Sequence, residues 1–350
     1  MKILILDDGK VGHTKQSVVV ADLITRKFSK SSFIEKEVTV KTIKVFFDNI
    51  FQKFIYKILF GLLIKSNTFL NLMVKLFPPS RLTDLRSYDP DLIISCGFVS
   101  SCISAISPAK SVIKIAILYP GNIYSAKFDL IITPAHDSKN IETTKNIVTT
   151  KLSLTNNSMA TSSLERSSNM GLLMGGTNRS YRYTKRYSRS IAEQMVILAK
   201  SRKQVILWTF SRRTPNYLAE YFDNLTSCEL NSKYFECMST PDAVNTILKE
   251  CHWVLVSADS ISMISEALAA GCRVTVFGSR NRFFYSKRHK KFIDSMVALG
   301  AINSCEINQI SSQCYPLQKV NIERLFLVDR NNISESIDKL LSKIISYSSQ

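Results

Sequence analysis

Four stretches in the second half of the chain place glycines, hydroxyls and arginines directly after apolar runs. GLLM is followed by Gly175, Gly176 and Thr177, and QVILWTF by Ser211, Arg212, Arg213 and Thr214. WVLVS is followed by Ala258, Asp259 and Ser260, and RVTVF by Gly278, Ser279 and Arg280. Glycine lets a phosphate approach the backbone, while hydroxyl and guanidinium groups donate hydrogen bonds to it. A nucleotide diphosphate is the ligand such a set would serve. The stretch VSADSISMISEALAAG at 256–271 adds a second signal, because Ser260 and Ser262 open a helix that carries Glu266 and ends at Gly271. Asp or Ser at that point caps free N–H groups, which is the plainer reading. The sharper reading, preferred here, is an anion platform at a helix N-terminus with capping as its by-product.

These groups share an edge only if the apolar runs are strands of one parallel sheet, where open α/β sheets bind their ligands. The pattern supports that. KILIL at 2–6, EKEVTVKTIKV at 35–45, DLIISCG at 91–97, KIAILYPG at 114–121 and FDLIITP at 128–134 read as strands, with helical periodicity in SVVVADLITRKF and SSCISAIS between them. A stretch dense in Ser, Thr and Asn follows at 150–169, and a second α/β cycle begins at NMGLLMGGTN. The expected layout is a first domain over 1–150, a linker over 151–168, a second domain over 169–333 and a C-terminal helix over 334–350. That helix, SESIDKLLSKIISY, could pack on either half. Strands alternating with helices argue an α/β fold with parallel sheets.

The chain has 350 residues, 45% of them hydrophobic, which excludes a disordered protein. Its formal net charge of +18 implies an anionic partner: nucleic acid, a membrane surface or phosphorylated small molecules. The eight cysteines form no CxxC pair and the four histidines are scattered, so neither a disulfide framework nor a metal site is expected. MKILILDDG lacks a secretory leader pattern, and a cytoplasmic, reduced protein is expected. The apolar segment at 45–77 is interrupted by Asp48, Lys53, Lys57, Lys65 and Lys75 and contains no clean membrane span. It reads as one or two amphipathic helices, either facing a core or resting on anionic lipid. Two basic, aromatic-laced stretches, RSYRYTKRYSR at 179–189 and SRNRFFYSKRHKK at 279–291, could stack on single-stranded nucleic acid. Both follow the phosphate-type loops and suit donor or anionic-acceptor contacts equally well, or are simply a solvated charged face.

GGTN, TFSRRTP and ADSISMISEALAAG, in this order, resemble the C-terminal half of the mitochondrial fission ELM family of proposed GT-B glycosyltransferases. The opening DDGKVGHTKQS and the later FDLIITPAHD resemble its N-terminal half. The resemblance covers about residues 1–16 and 91–280, and the family includes bacterial members associated with lipopolysaccharide outer-core synthesis. It implies two Rossmann-like domains facing a cleft, with a nucleotide-sugar donor bound mainly by the second. Gly175, Gly176 and Thr177 would line the diphosphate, and Ser211, Arg212 and Arg213 would neutralise it. Asp259, Ser260, Ser262 and the helix amides behind them would complete the donor site, with Glu266 reaching a ribose.

In the first domain Gly9, Gly12, His13 and Gln16 are expected in one loop on the acceptor side. His13 is the candidate general base, since histidine titrates near neutral pH. A solvated loop histidine is the plainer alternative, and the family often has Asn there. Asp8 is the other candidate catalytic residue; Asp7 and Asp137 beside His136 are further ones. Such enzymes need no divalent metal or other cofactor, because cations and a helix dipole stabilise the leaving diphosphate. The expected activity is transfer of a sugar to a lipid-linked or lipopolysaccharide-core glycan, by a peripheral protein on the inner face of the cytoplasmic membrane. A non-catalytic membrane adaptor is the alternative, and a nucleic-acid binder is less favoured.

Overall fold

Short runs of Ile, Leu and Val become the central strands, buried on both faces as parallel sheets favour, while the edge strand at Thr39–Lys44 is largely exposed. The computed structural model describes residues 1–31, 37–47, 54, 88–107, 112–121, 125–137, 146–155, 167–178, 181–228, 235–237, 242–278, 287–313 and 321–348. The chain divides into two units, Met1–Asn156 with Leu327–Gln350, and Asn157–Phe326.

The first unit holds β1 (Lys2–Asp7), β2 (Thr39–Lys44), β3 (Leu92–Cys96), β4 (Ile113–Ile117), β5 (Leu130–Pro134) and β6 (Ile147–Thr150). They form one sheet in the order β2-β1-β3-β4-β5-β6, with every pairing parallel. Helix α1 (Val11–Ser31) follows β1, and α2 (Phe98–Ile106) follows β3. Every residue of β3 and β5 is buried. Because β2 and β3 flank β1 on opposite sides, the winding direction reverses between β1 and β3.

The second unit holds β7 (Ser167–Met174), β8 (Ile206–Phe210), β9 (Phe235–Cys237), β10 (Cys251–Ser257), β11 (Arg273–Phe277) and β12 (Ile302–Cys305). The connecting helices are α3 (Lys185–Arg202), α4 (Asn216–Cys228), α5 (Ala243–Glu250), α6 (Ile261–Ala269) and α7 (Lys287–Ala298). Strand order is β12-β11-β10-β7-β8-β9, again wholly parallel. The chain winds outward from β7 to β9, then returns to lay β10 on the other side of β7. The switch point therefore lies between β7 and β10, where doubly wound sheets open a ligand crevice at their carboxyl ends. The core there joins Met170, Leu172 and Trp253 of the sheet to Ile191, Met195 and Leu198 of α3.

Two helices differ from the expectation. α1 starts at Val11, so Gly12, His13 and Gln16 are helical and only Gly9, at φ +79°, stays in the loop. The last helix, α8 (Ile322–Ser348), starts well before residue 334. Burial of Leu325 and Ile333 on either side of the Asn331–Asn332 pair outweighs the weak helix propensity of asparagine. Ile333, Ile337, Leu340 and Leu341 join the core of the first unit, beside Ile3, Ile24 and Phe28. Asp329 fixes this return: its buried carboxylate accepts the backbone N–H groups of Lys151 at 2.8 Å and Leu152 at 3.2 Å. Burial, the largest influence, leaves its carboxyl above the ordinary value despite those bonds.

Cys96, Cys102, Cys251, Cys272 and Cys305 are buried, as small apolar residues would be. Of the apolar segment at 45–77, nearly all lies outside the described residues, as do 156–166 of the linker and 279–286 of the second basic stretch.

Candidate functional site

Parallel register sets Leu173 of β7 beside Val256 of β10, so both strands end together at the switch point. The Gly175 N–H donates to Ser257 Oγ at 2.7 Å, and the Gly176 N–H donates to Asp259 Oδ2 at 2.8 Å. The Ser257 and Tyr183 hydroxyls both donate to Asp259 Oδ1, each at 2.7 Å. From the end of β8, Arg213 Nη2 stands 3.6 Å from Asp259 Oδ2. The Thr177 N–H donates to the Arg213 carbonyl at 3.0 Å, and the Ser211 N–H to the Met174 carbonyl at 2.9 Å. The Thr214 hydroxyl closes the seam by donating to the Gly175 carbonyl. Three strand ends are thus laced into one rim.

The two glycines follow from this crowding. A Cβ on Gly175 would fall 2.2 Å from Asp259 Oδ2, and one on Gly176 would fall 2.1 Å from the Arg213 backbone carbonyl carbon. Neither position tolerates a side chain without moving the rim. Ser260 is the N-cap of α6, its Oγ accepting the Met263 N–H at 3.4 Å. The early amides of that helix lack intrahelical acceptors, and the dipole adds partial positive charge. Thr177, Arg212 and Arg213, on the loops after β7 and β8, are exposed. The rim is a cationic, hydrogen-bond-donating surface with glycine backbone at its centre, suited to an oxyanion such as a diphosphate.

Asp259 corrects one expectation. Its carboxylate has no solvent exposure and is filled by rim donors, so its part in the described structure is to hold the rim together. Two further residues went unrecognised in the sequence. Tyr183 lies within the first basic, aromatic stretch, and burial, then the neighbouring Asp259 charge, pushes its phenol well above the ordinary tyrosine range. His289, in the first turn of α7, donates its Nε2–H to the Asp259 carbonyl at 3.1 Å. Their only sequence signal was position, shortly after the β7 and β11 loops.

The first unit builds a second site at its own switch point. Asp7 ends β1 and accepts the Gly9 N–H at 2.8 Å and the Thr14 hydroxyl at 2.7 Å, fixing the entry into α1. The side chain of the next residue, Asp8, is almost fully buried, and its carboxylate accepts His13 Nδ1–H at 3.0 Å while Lys10 Nζ stands 3.2 Å away. Burial alone would raise this carboxyl; the hydrogen bond and charge of His13, then those of Lys10, outweigh it and hold it below its ordinary value. With Nδ1 donating, Nε2 is the basic nitrogen. The His13 ring lies over Gly97, the N-cap of α2, which has φ +81° and no side-chain cap.

The residues expected to bind the donor divide as follows. Gly175, Gly176, Thr177, Ser211, Arg213, Asp259 and Ser260 meet in the second-unit rim. Arg212 shares its loop and is exposed, Ser262 lies 3.4 Å from the Ser260 hydroxyl, and Glu266 is half-buried in α6. In the first unit Asp8 and His13 pair, and Gly9 shapes the turn. Gln16, expected on the acceptor side, is buried in α1 and donates its Nε2–H back to the Gly12 carbonyl at 3.2 Å. His136 is buried as well. Among the described residues no group of His, Cys, Asp and Glu could hold a metal ion, and no helix is long and apolar enough to cross a membrane.

A family model described as mitochondrial fission ELM1 matches residues 12–325. No curated protein is similar in sequence to this chain. Among solved structures, Staphylococcus aureus MnaA in a co-structure with UDP is 14% identical with a TM-score of 0.55, covering 99% of this chain and 97% of its own. UDP-GlcNAc 2-epimerase from Methanocaldococcus jannaschii, in complex with UDP-GlcNAc and UDP, is 15% identical with a TM-score of 0.53, covering 99% and 100%. Arabidopsis thaliana UGT89C1 complexed with UDP is 10% identical with a TM-score of 0.54, covering 98% and 99%. Likeness at this identity shows the fold, which is GT-B.

Proposed function

Since the chain belongs to the mitochondrial fission ELM1 family and has the GT-B fold, we propose that it is a glycosyltransferase using a nucleotide-sugar donor. The observation that carries this reading is the rim at the β7/β10 switch point, where buried Gly175 and Gly176 tie the frame and exposed Thr177 and Arg213 stand with the start of α6. The structural neighbours bound to UDP or UDP-GlcNAc support the ligand class. In this reading the second unit binds the donor, with Arg213, Arg212 and the α6 amides taking charge that develops on the leaving diphosphate as the glycosidic bond breaks. No metal is required for that step. Ser211, Ser260 and Ser262 add hydroxyl contacts, and Glu266 accepts from the ribose.

The first unit supplies the base. His13 Nε2 takes the proton of the acceptor hydroxyl, and Asp8 keeps the ring in the Nδ1–H tautomer and stabilises the imidazolium that forms. The acceptor is a lipid-linked or lipopolysaccharide-core glycan, met by a peripheral protein at the cytoplasmic face of an anionic membrane. The net charge of +18 supports this, as do Val11 and Phe46, which are 53% and 50% exposed just beyond the ends of adjacent strands β1 and β2.

Thermal unfolding in the presence of UDP- and CMP-sugars tests the donor site. A ligand at a hundred times its Kd stabilises by about 2.7 kcal/mol, a shift of several degrees. Arg213→Ala removes most of that shift and Arg212→Ala a smaller part, because Arg213 alone is anchored to Asp259. If no nucleotide-sugar moves the transition while anionic vesicles still bind, the protein is a membrane adaptor. Tight RNA binding with a steep salt slope would make it a nucleic-acid binder.

A further inference from the structure

His289 is a titratable side chain beside the second-unit rim that the transfer chemistry above does not use. It occupies the third position of α7, beside Arg288, at the end of the second basic stretch. Its Nε2–H donates to the carbonyl of Asp259, and a carbonyl only accepts, so this nitrogen carries the proton of the neutral ring. The other nitrogen, Nδ1, is sealed from solvent and has no hydrogen-bond partner among the described residues. A buried imidazole nitrogen without a partner is uncommon and points to a group whose bonding changes during function.

The surroundings say which change. Arg288 flanks the ring on α7, and Arg213 approaches from the loop after β8. The Asp259 carboxylate also acts on the ring, already engaged by Arg213, Tyr183 and Ser257, and Tyr181 meets the ring edge-on with centroids 5.6 Å apart. Two guanidinium groups and burial thus oppose a positive ring, with one shared carboxylate favouring it. Two added negative charges beside Arg213 would reverse that balance.

Resting on the donor-site reading, we propose that His289 takes up one proton from solvent when a nucleotide diphosphate seats beside Arg213, so that donor binding is coupled to pH. In the ligand-free rim burial, then Arg288, hold the imidazole below its ordinary value; the Asp259 carbonyl and carboxylate act the other way, and Arg213 adds to the depression. The ring is therefore neutral at pH 7 before binding, and an anion favours its charged form. By linkage the affinity rises as pH falls, by up to about tenfold per pH unit while the proton is fully coupled.

The test is titration calorimetry of the full chain with UDP-GlcNAc between pH 6 and pH 8, in buffers of differing ionisation enthalpy. The diphosphate of this probe is esterified at both ends and does not titrate in that range. Wild type is expected to bind more tightly at pH 6 than at pH 8 and to absorb protons from the buffer. His289→Gln keeps an N–H donor for the Asp259 carbonyl but cannot titrate, so its affinity should be flat across the range. Binding without proton uptake in wild type, or the same uptake in His289→Gln, overturns the proposal and leaves the donor site standing. Absence of binding by UDP-GlcNAc, UDP and CMP alike overturns both. A His289→Gln protein whose melting temperature falls as steeply as that of wild type between pH 7 and pH 6 also counts against it, since the acid-side loss should belong to this ring.

Discussion

A Cβ added to Gly97 would lie 2.4 Å from His13 Cε1, so the ring of the candidate base rests on the backbone of the turn between β3 and α2. The left-handed φ of +81° at Gly97 makes this approach available to glycine alone. Base, carboxylate and glycine come from two neighbouring strand ends and form one unit.

Gly97→Ala should therefore displace the imidazole and strain the turn at once. A misplacement of about 1 Å in a reacting group can cost a hundredfold in rate. The expected outcome is a fall of that order in kcat with the KM for donor little changed, measured by steady-state transfer assays. An unaltered kcat would separate His13 from the chemistry.

His13→Gln should lower kcat by roughly 10²- to 10⁴-fold, the range for loss of a general base, while nucleotide-sugars still raise the melting temperature. Asp8→Asn should lower it as well, because an amide does not enforce the Nδ1–H tautomer.

The depressed Asp8 carboxyl carries a pH signature of its own. A carboxyl lowered in the folded state contributes stability above its unfolded value of about 3.9, and that contribution disappears as pH falls through the folded value. The stability difference between wild type and Asp8→Asn should thus be full near neutrality and shrink below about pH 4. Paired urea titrations at pH 7 and pH 3.5 read it directly.

Gly176→Ala places a methyl group 2.1 Å from the Arg213 backbone, where no flexible side-chain end can yield. Overpacking of this kind costs about 1–3 kcal/mol and shifts the backbone. The variant should melt several degrees lower and lose its response to UDP-sugars. A variant that folds and still responds would place the diphosphate elsewhere.

Asp259→Asn puts an amide N–H₂ among the Gly176, Tyr183 and Ser257 donors, leaving buried donors unpaired at about 1–3 kcal/mol each. It should weaken nucleotide binding without touching the ligand, and Tyr183→Phe should do so more mildly. Because the Tyr183 phenol is raised by burial and by Asp259, its neutral form contributes stability that is present below about pH 10 and lost above. Wild type should accordingly lose more stability than Tyr183→Phe between pH 9 and pH 11, followed by circular dichroism.

Much of the second-unit site was legible because strands there are apolar runs with sharp ends. Once GLLM, QVILWTF and WVLVS are parallel neighbours, Gly175, Ser211 and Ser260 must share an edge. The pairing of Asp259 with Arg213 was not legible: nothing local distinguishes a carboxylate that meets ligand from one buried under it. Tyr183 and His289 were hidden for a similar reason, since basic, aromatic stretches read alike whether they stack on a ligand or fold inward. In the first unit the two glycines of DDGKVGH suggested a loop, yet α1 begins at Val11, its entry fixed by the Asp7 bonds to Gly9 and Thr14.

Local pattern alone determined that this protein is built of parallel α/β layers and that oxygen-rich, cationic loops follow its strands, because strand period and turn chemistry act over a few residues. Tertiary structure decided the order β12-β11-β10-β7-β8-β9, and with it the place of the candidate site between β7 and β10. It also decided that residues 327–350 return to the first unit. Those choices depend on which apolar faces cover which others across more than a hundred residues, and such long-range complementarity leaves no trace in any short stretch of sequence.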